Sequence, residues 1–460
     1  MRSSFFSAAL LSAALLAPAT LAAQTLDEAL ALAYQSNPTL LAERARLRQS
    51  DEQVARALSG WRPTVTFNGD VGKATDTGSA GIRDQRGNTV ETSNNRDPRG
   101  FSVVASQNLW KGGQTEADIA RSKNQVLSDR ARLLATESTV LAQAATAYMD
   151  VVQNQSVVEL NFNQERVLQR DLEAVQDRFR VGEVTRTDVA QSESRLAAAR
   201  ANRIAAEGQL TASRATYRRV IGEAPGTLAG AQPLASVPQT EDVALSAARE
   251  RNFDTLRTRY AELAAADGVD QTFGELMPQF SVNGIYQQRF ESLTNANTSD
   301  TASVAAQVTM PLYDSGSVRA RVREAKELVA QRRNEYLQAV RDAQQTAAQQ
   351  FQALTTARAQ VEAFTAQIRA ASIALEGVRQ EVQVGSRTVL DSLNAEQELL
   401  TAQVSLVRAQ HDAVVGSYNL KFAVGELTAE NLRLPVEVYD PTKHYDRARN
   451  NWFGIRTERE

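Results

Sequence analysis

The chain contains no cysteine. A disulfide-stapled fold, a thiolate metal site and a cysteine nucleophile are therefore excluded. So is a lipid anchor, which needs a cysteine at the mature N-terminus. Charge of either sign is barely in excess: 51 Lys and Arg face 54 Asp and Glu, for a formal net charge of −3. A nucleic-acid partner would call for a basic surplus. Histidine is scarce, with only His411 and His444, one within a helical segment and one in the tail. No P-loop, G-x-S-x-G or H-E-x-x-H motif is present. No catalytic residue, metal ligand or cofactor site is assigned, and the chain reads as a non-enzyme. Long apolar runs are missing too. After the first residues no stretch of eighteen apolar residues occurs, so a membrane could be crossed only by a β-barrel.

What is present begins with a leader. Arg2 supplies a positive start, 5–16 is apolar but too short to span a bilayer, and Pro18 breaks it. Small residues at Ala22 and Ala23 offer a cleavage site, so 1–23 is expected to be a secretory signal.

The remainder is one unit written twice. At an offset of 215, Leu30 meets Leu245, Asn37 meets Asn252, Pro63 meets Pro278 and Gly69 meets Gly284. At an offset of 203, Gly113 meets Gly316, Gly182 meets Gly385, Thr185 meets Thr388, Asp188 meets Asp391 and Gly222 meets Gly425. The twelve extra residues of the first unit fall between Val71 and Phe101, in a stretch rich in Gly, Asn, Asp and Thr that reads as a loop. The expected organisation is a first repeat at 24–223, a linker at 224–241, a second repeat at 242–426 and a C-terminal segment at 427–460. Each repeat opens with a helix, broken in the first at Asn37-Pro38. Two strands, a very long helix and a second helix follow.

The strands are expected at 63–71, 101–109, 278–286 and 304–312. Each alternates apolar and polar residues, as in Val65, Phe67 and Val71 against Thr64, Thr66, Asn68 and Asp70. Each run is about ten residues, the length of a tilted transmembrane strand. Trp61 and Trp110 flank the first hairpin and Tyr313 occupies the matching place in the second, as expected of a membrane-interface aromatic belt or of ordinary core aromatics.

The long helices are expected at 113–180 and 316–383, followed by helices at 186–221 and 388–424. At ~1.5 Å per residue each long helix is about 100 Å. Val361, Phe364, Ile368, Ala371, Leu375, Val378 and Val382 step by threes and fours, a heptad seam that predicts coiled-coil packing. Four strands cannot close a barrel, and open edges in lipid cost several kcal/mol per unpaired group. Two copies would give eight strands, a barrel plugged by its own side chains; three give twelve and leave a lumen. The fold class expected is mainly α with a membrane β-barrel portion: long antiparallel coiled-coil helices forming an α-barrel, and four strands per protomer in a shared twelve-stranded barrel.

The turn RFRVGEVTRTDV at 178–189 and its copy VGSRTVLD at 384–391 resemble the periplasmic tip of TolC-family outer-membrane factors. The resemblance extends over nearly all of the mature chain. It implies a homotrimer in the outer membrane with a long periplasmic extension. It also implies docking to a periplasmic adaptor (membrane fusion protein) and an inner-membrane ABC or proton-driven transporter. By motif match, Asp188 corresponds to the interprotomer tip aspartate, Arg387 to the latch arginine and Asp391 to the constriction aspartate. The resemblance also implies that Val181, Gly182, Thr185, Val384, Gly385 and Thr388 belong to adaptor-docking turns. Val382 stands where the family's best-known member has a latch tyrosine, and Asn394 where a second aspartate ring would be. The tail VEVYDPTKHYDRARNNWFG resembles members paired with type I protein secretion. Multidrug efflux is the alternative cargo class, and a periplasmic coiled-coil adaptor the alternative of another kind.

Overall fold

The computed structural model describes residues 23–83, 85–87, 89–292 and 296–455. The expected signal segment lies outside the described residues except for Ala23. Helices α1 (Leu26–Ser36) and α2 (Pro38–Leu58) come first, then strands β1 (Thr64–Val71), β2 (Ala74–Arg83), β3 (Thr89–Arg96) and β4 (Arg99–Lys111). Helices α3 (Gln114–Arg180), α4 (Arg186–Ile221), α5 (Glu241–Arg251) and α6 (Phe253–Phe273) follow. Strands β5 (Gln279–Phe290) and β6 (Thr298–Thr309) precede α7 (Ser317–Gln383), α8 (Val389–Ala423) and α9 (Pro441–Asn450). The fold is mainly helical. The described chain divides into two compact units, and α3 and α7 contribute to both.

The first unit holds the chain up to Gln35, Gln143–Pro233 and Arg358–Val415. Leu168 and Leu172 of α3 pack on Leu196 and Ala199 of α4 and Leu393 of α8. Burying each leucine contributes about 2 kcal/mol. Glu165 of α3 bonds Arg200 and Arg203 of α4 at 3.2 and 2.6 Å, fixing the antiparallel register. The first described residues are stitched in by hydrogen bonds. The Gln24 amide donates to Thr227, and Ala229 donates back to Gln24. The hydroxyl of fully buried Tyr148 lies 2.7 Å from both the Gln24 and the Ala229 carbonyl, and its one hydrogen serves the two between them.

The second unit holds Ser36–Ala142, Leu234–Ala357 and the chain from Gly416. Asn37 caps α2 by accepting from Thr39, with Pro38 in the first turn where no N–H is needed. Asn252, its counterpart, caps α6. The sheet order is β1-β4-β5-β6, all antiparallel, so the hairpins of the two repeats join in one sheet. The sheet is open, with β1 and β6 at its edges. Where α3 leaves the sheet, Gly112 (φ +63°) meets Gly274; a Cβ on Gly112 would sit 2.4 Å from the Gly274 carbonyl. The C-terminal segment is tied to the same unit. Ser138 donates to the Leu427 carbonyl and Glu137 accepts from the Ala429 amide.

Three expectations about the strands need correction. The stretch between 71 and 101 is not a loop: β2 and β3 pair there. Val71↔Arg99 and Ala74↔Arg96 belong to one continuous register, so this hairpin prolongs β1 and β4. Polar Thr, Asp, Ser and Asn on both faces left no alternation to detect. Trp110 does not follow the strand but lies within β4, because a bulge between Asn108 and Trp110 inserts Leu109 and reverses the alternation. The strand expected at 304–312 ends at Thr309, two residues short of Pro311, which has no N–H for a ladder.

Candidate functional site

Two places carry the chemistry the sequence singles out: the tip turns of the first unit and the sheet of the second.

Both tip turns are built alike. At the end of α3, Gly182 (φ +83°) lets its N–H reach the Phe179 carbonyl while Glu183 reaches Arg178. At the end of α7, Gly385 (φ +80°) reaches Val382 while Ser386 reaches Glu381. This is the left-handed helix stop in which glycine avoids a Cβ clash. Three residues on, Thr185 and Asp188 form a reciprocal capping box. The Thr185 amide donates to Asp188 at 2.8 Å and the Asp188 amide to the Thr185 hydroxyl at 3.3 Å. Thr388 and Asp391 do the same at 3.0 and 3.3 Å. The Gly-x-x-Thr-x-x-Asp spacing thus encodes one helix stop and one helix start. Hydrogen bonds from the Thr388 hydroxyl and amide, joined by the Arg387 charge, hold the Asp391 carboxyl below its ordinary value. Arg387 itself bonds Glu381 of the preceding helix at 2.6 Å. Val181 and Val384 remain bare at the apices, 72% and 79% exposed. Asn394 accepts from Arg195 of α4 at 2.8 Å.

The sheet has two unlike faces. The register aligns Phe67, Val103 and Tyr286 on one face, with Val65, Ala105, Gly284 and Val304 beside them. Rings meet along it: Phe67 stacks on Phe101 at 6.1 Å, and tilted pairs form between Phe101 and Tyr286 at 6.0 Å and, past the bulge, between Trp110 and Phe280 at 5.9 Å. Among the described residues no protein layer covers this face; Phe67 is 69% exposed and Val304 81%. The other face aligns Thr64, Ser106, Asn283 and Ala305. There Ser106 donates to Asn283 at 2.7 Å, and Asn283 to Gln307 at 3.3 Å. The sheet thus has a bare apolar face, a face crossed by polar hydrogen bonds and two open edges.

The family profile described as "Outer membrane efflux protein" matches residues 29–223 and 244–426. The outer membrane efflux protein BepC of Brucella suis is 36% identical over 454 residues, spanning 98% of this chain and 96% of its own.

The chain belongs to the outer-membrane efflux protein family, the TolC family.

It is an outer-membrane protein. The alkaline protease secretion protein AprF of Pseudomonas aeruginosa is 26% identical over 325 residues, 67% of this chain and 66% of its own. The Campylobacter jejuni CmeC outer-membrane channel shares the fold, with a TM-score of 0.75, 15% identity, and coverage of 92% of this chain and 89% of its own.

In this TolC-family chain the expected belt residues take different settings. Trp110 stacks on the apolar sheet face, Trp61 lies in a short turn before β1 with its carbonyl bonded to Gln107, and Tyr313 is 80% exposed past β6. Among the ionisable residues that escaped sequence reasoning are buried Glu396 and half-buried His411. Glu396 of α8 is 2% exposed and bonded to Arg379 of α7 at 2.9 Å. Burial, with repulsion from Asp171, pushes it up to about 7. Its Oε2 has no donor, and a proton shared with Asp171 would satisfy it. The imidazole of His411 lies between Asp150 and Asp412, each at 2.9 Å. Burial pulls His411 down, but the two carboxylates outweigh it and raise it overall. Partners such as Asp150, far away in sequence, leave no local signal.

Proposed function

We propose that three copies of this chain close a twelve-stranded barrel and continue it with their long helices as an export duct. The observation that carries this is the four-stranded sheet with one bare apolar face and both edges open. Three is the smallest number of copies that both closes the edges and leaves a lumen. The duct takes cargo from an inner-membrane ABC or proton-driven transporter through a periplasmic adaptor seated on the turns at Val181–Thr185 and Val384–Thr388. Bare valines beside glycines with open space around them suit a partner backbone there. Asp391, near the three-fold axis, and Asp188 with Arg387 would close the tip; for that, Arg387 must exchange Glu381 for a partner on another helix pair.

For cargo, type I protein secretion is supported by the tail and by likeness to AprF, named for protease secretion. The name of BepC favours the second reading, efflux of small molecules. Deleting the gene separates them. Loss of specific proteins from the culture medium with unchanged drug susceptibility supports secretion. Drug hypersensitivity with an unchanged set of secreted proteins supports efflux.

A further inference from the structure

The C-terminal segment does not end where its packing ends. Helix α9 is capped by Asp440, with Pro441 in its first turn, and is fastened to the second unit at several points. His444 bonds buried Asp51 of α2 at 3.0 Å. Arg130 lies over the Tyr445 ring at 5.1 Å, and Arg44 over Tyr439 at 5.2 Å. After α9 the chain arrives at Arg62, which follows Trp61 and lies two residues before β1. The Arg62 guanidinium stacks on the Trp452 ring at 4.4 Å and donates to the Asn451 carbonyl at 3.4 Å. Beyond that hold the side chains face solvent: Trp452 is 61% exposed, Phe453 90%, and Ile455 fully. Water is a costly place for three large apolar side chains on a backbone held in position.

We infer that Trp452, Phe453 and Ile455 form a membrane anchor inserted among phospholipids at the inner face of the outer membrane. The inference rests on the reading of the sheet as a barrel wall. The tail meets the chain at the end of the sheet where the helices begin, which in that reading is the periplasmic rim. The bare apolar sheet face starts at Val65, three residues past Arg62, so lipid that covers Val65 and Phe67 is within reach of the tail. The chemistry also fits the interface: an indole and a phenyl ring suit the headgroup boundary, and Arg62 places a cation where phosphates lie. The anchor would fix the rim of each protomer against the bilayer independently of barrel closure.

The test uses the chain's three tryptophans. The mature full-length protein is placed in phosphatidylethanolamine–phosphatidylglycerol vesicles whose acyl chains carry bromine near the headgroup or deep in the chain. One variant, Trp61→Phe with Trp110→Phe, keeps only Trp452. A second, Trp61→Phe with Trp452→Phe, keeps only Trp110 on the sheet. The expected result is quenching in both, with Trp452 losing most of its emission to the shallow bromines. Quenched Trp110 beside unquenched Trp452 overturns the anchor and leaves the barrel reading standing; the tail then lies against protein or in water. If neither is quenched, both fall. Because the chain lacks cysteine, Phe453→Cys with a nitroxide label provides a check with all three tryptophans retained. Greater accessibility to oxygen than to a water-soluble nickel chelate is expected, and the reverse overturns the inference.

Discussion

Thr185, Asp188, Thr388 and Asp391 show how much one residue can carry. Each serves a helix start, and each aspartate also places a carboxylate beside its turn. The capping bonds lower the Asp391 carboxyl, so its contribution to the tip is present above the ordinary aspartate range and is lost only as pH falls through the lowered value. Glu396 behaves in the opposite sense. Its folded value is raised from 4.5 to about 7, so the folded state holds a proton that the unfolded chain releases. Stability gained by that proton is complete below 4.5 and is lost as pH rises through about 7. Glu396→Gln keeps an acceptor for Arg379 and cannot ionise. Hydrogen exchange in α8, corrected for intrinsic rates, should therefore be slower at pH 5 than at pH 8 in the native protein, and much less pH-dependent in the variant. Arg387 is the other informative residue. If it exchanges Glu381 for a latch partner, Arg387→Ala should raise single-channel conductance in planar bilayers, while Glu381→Ala, which frees the arginine, should not. An exposed bond of this kind is worth roughly 0–1 kcal/mol, so the gate would be biased rather than unlocked.

At the scale of elements, legibility in the sequence follows the range of the interaction. The helix break at Asn37-Pro38 and the tip turns are encoded within a few residues, and both could be read directly. β1 and β5 could be read because one face is apolar. β2 and β3 could not, since Thr, Ser and Asn on both faces give no period-two contrast. The bulge at Leu109 was hidden for another reason: one inserted residue reverses the alternation without altering composition. The candidate site divides in the same way. Capping by Asp188 and Asp391 is encoded within three residues, whereas Asp150–His411, Arg195–Asn394 and the Glu396–Asp171 pair join separate helices and have no local signature. The β2–β3 hairpin carries its own prediction. It prolongs the sheet at the end away from the helices, and its turn at 85–87 is exposed, with Gly87 at φ +82°. An epitope inserted beside Gly87 should be detected by antibody on intact cells with export unchanged. Detection only after lysis would mean that the hairpin faces the periplasm.

At the scale of the whole molecule, the sheet poses a problem that a single chain cannot solve. Among the described residues its apolar face has no protein over it, and its edges have no strand partners. In the proposed trimer, lipid covers the first and further copies satisfy the second. The account therefore predicts that β6 of one protomer pairs with β1 of the next, and that the pairing stops after three. The absence of cysteine makes this directly measurable. Val65→Cys on β1 is combined in one chain with cysteine at Ala302, Val304 or Ala306 on β6, so that one of the three registers brings the thiols together. Oxidation in outer membranes, followed by a denaturing non-reducing gel, should give a ladder of one, two and three linked chains and nothing larger. Chains that remain single in all three variants, or a ladder that continues past three, would contradict the shared barrel.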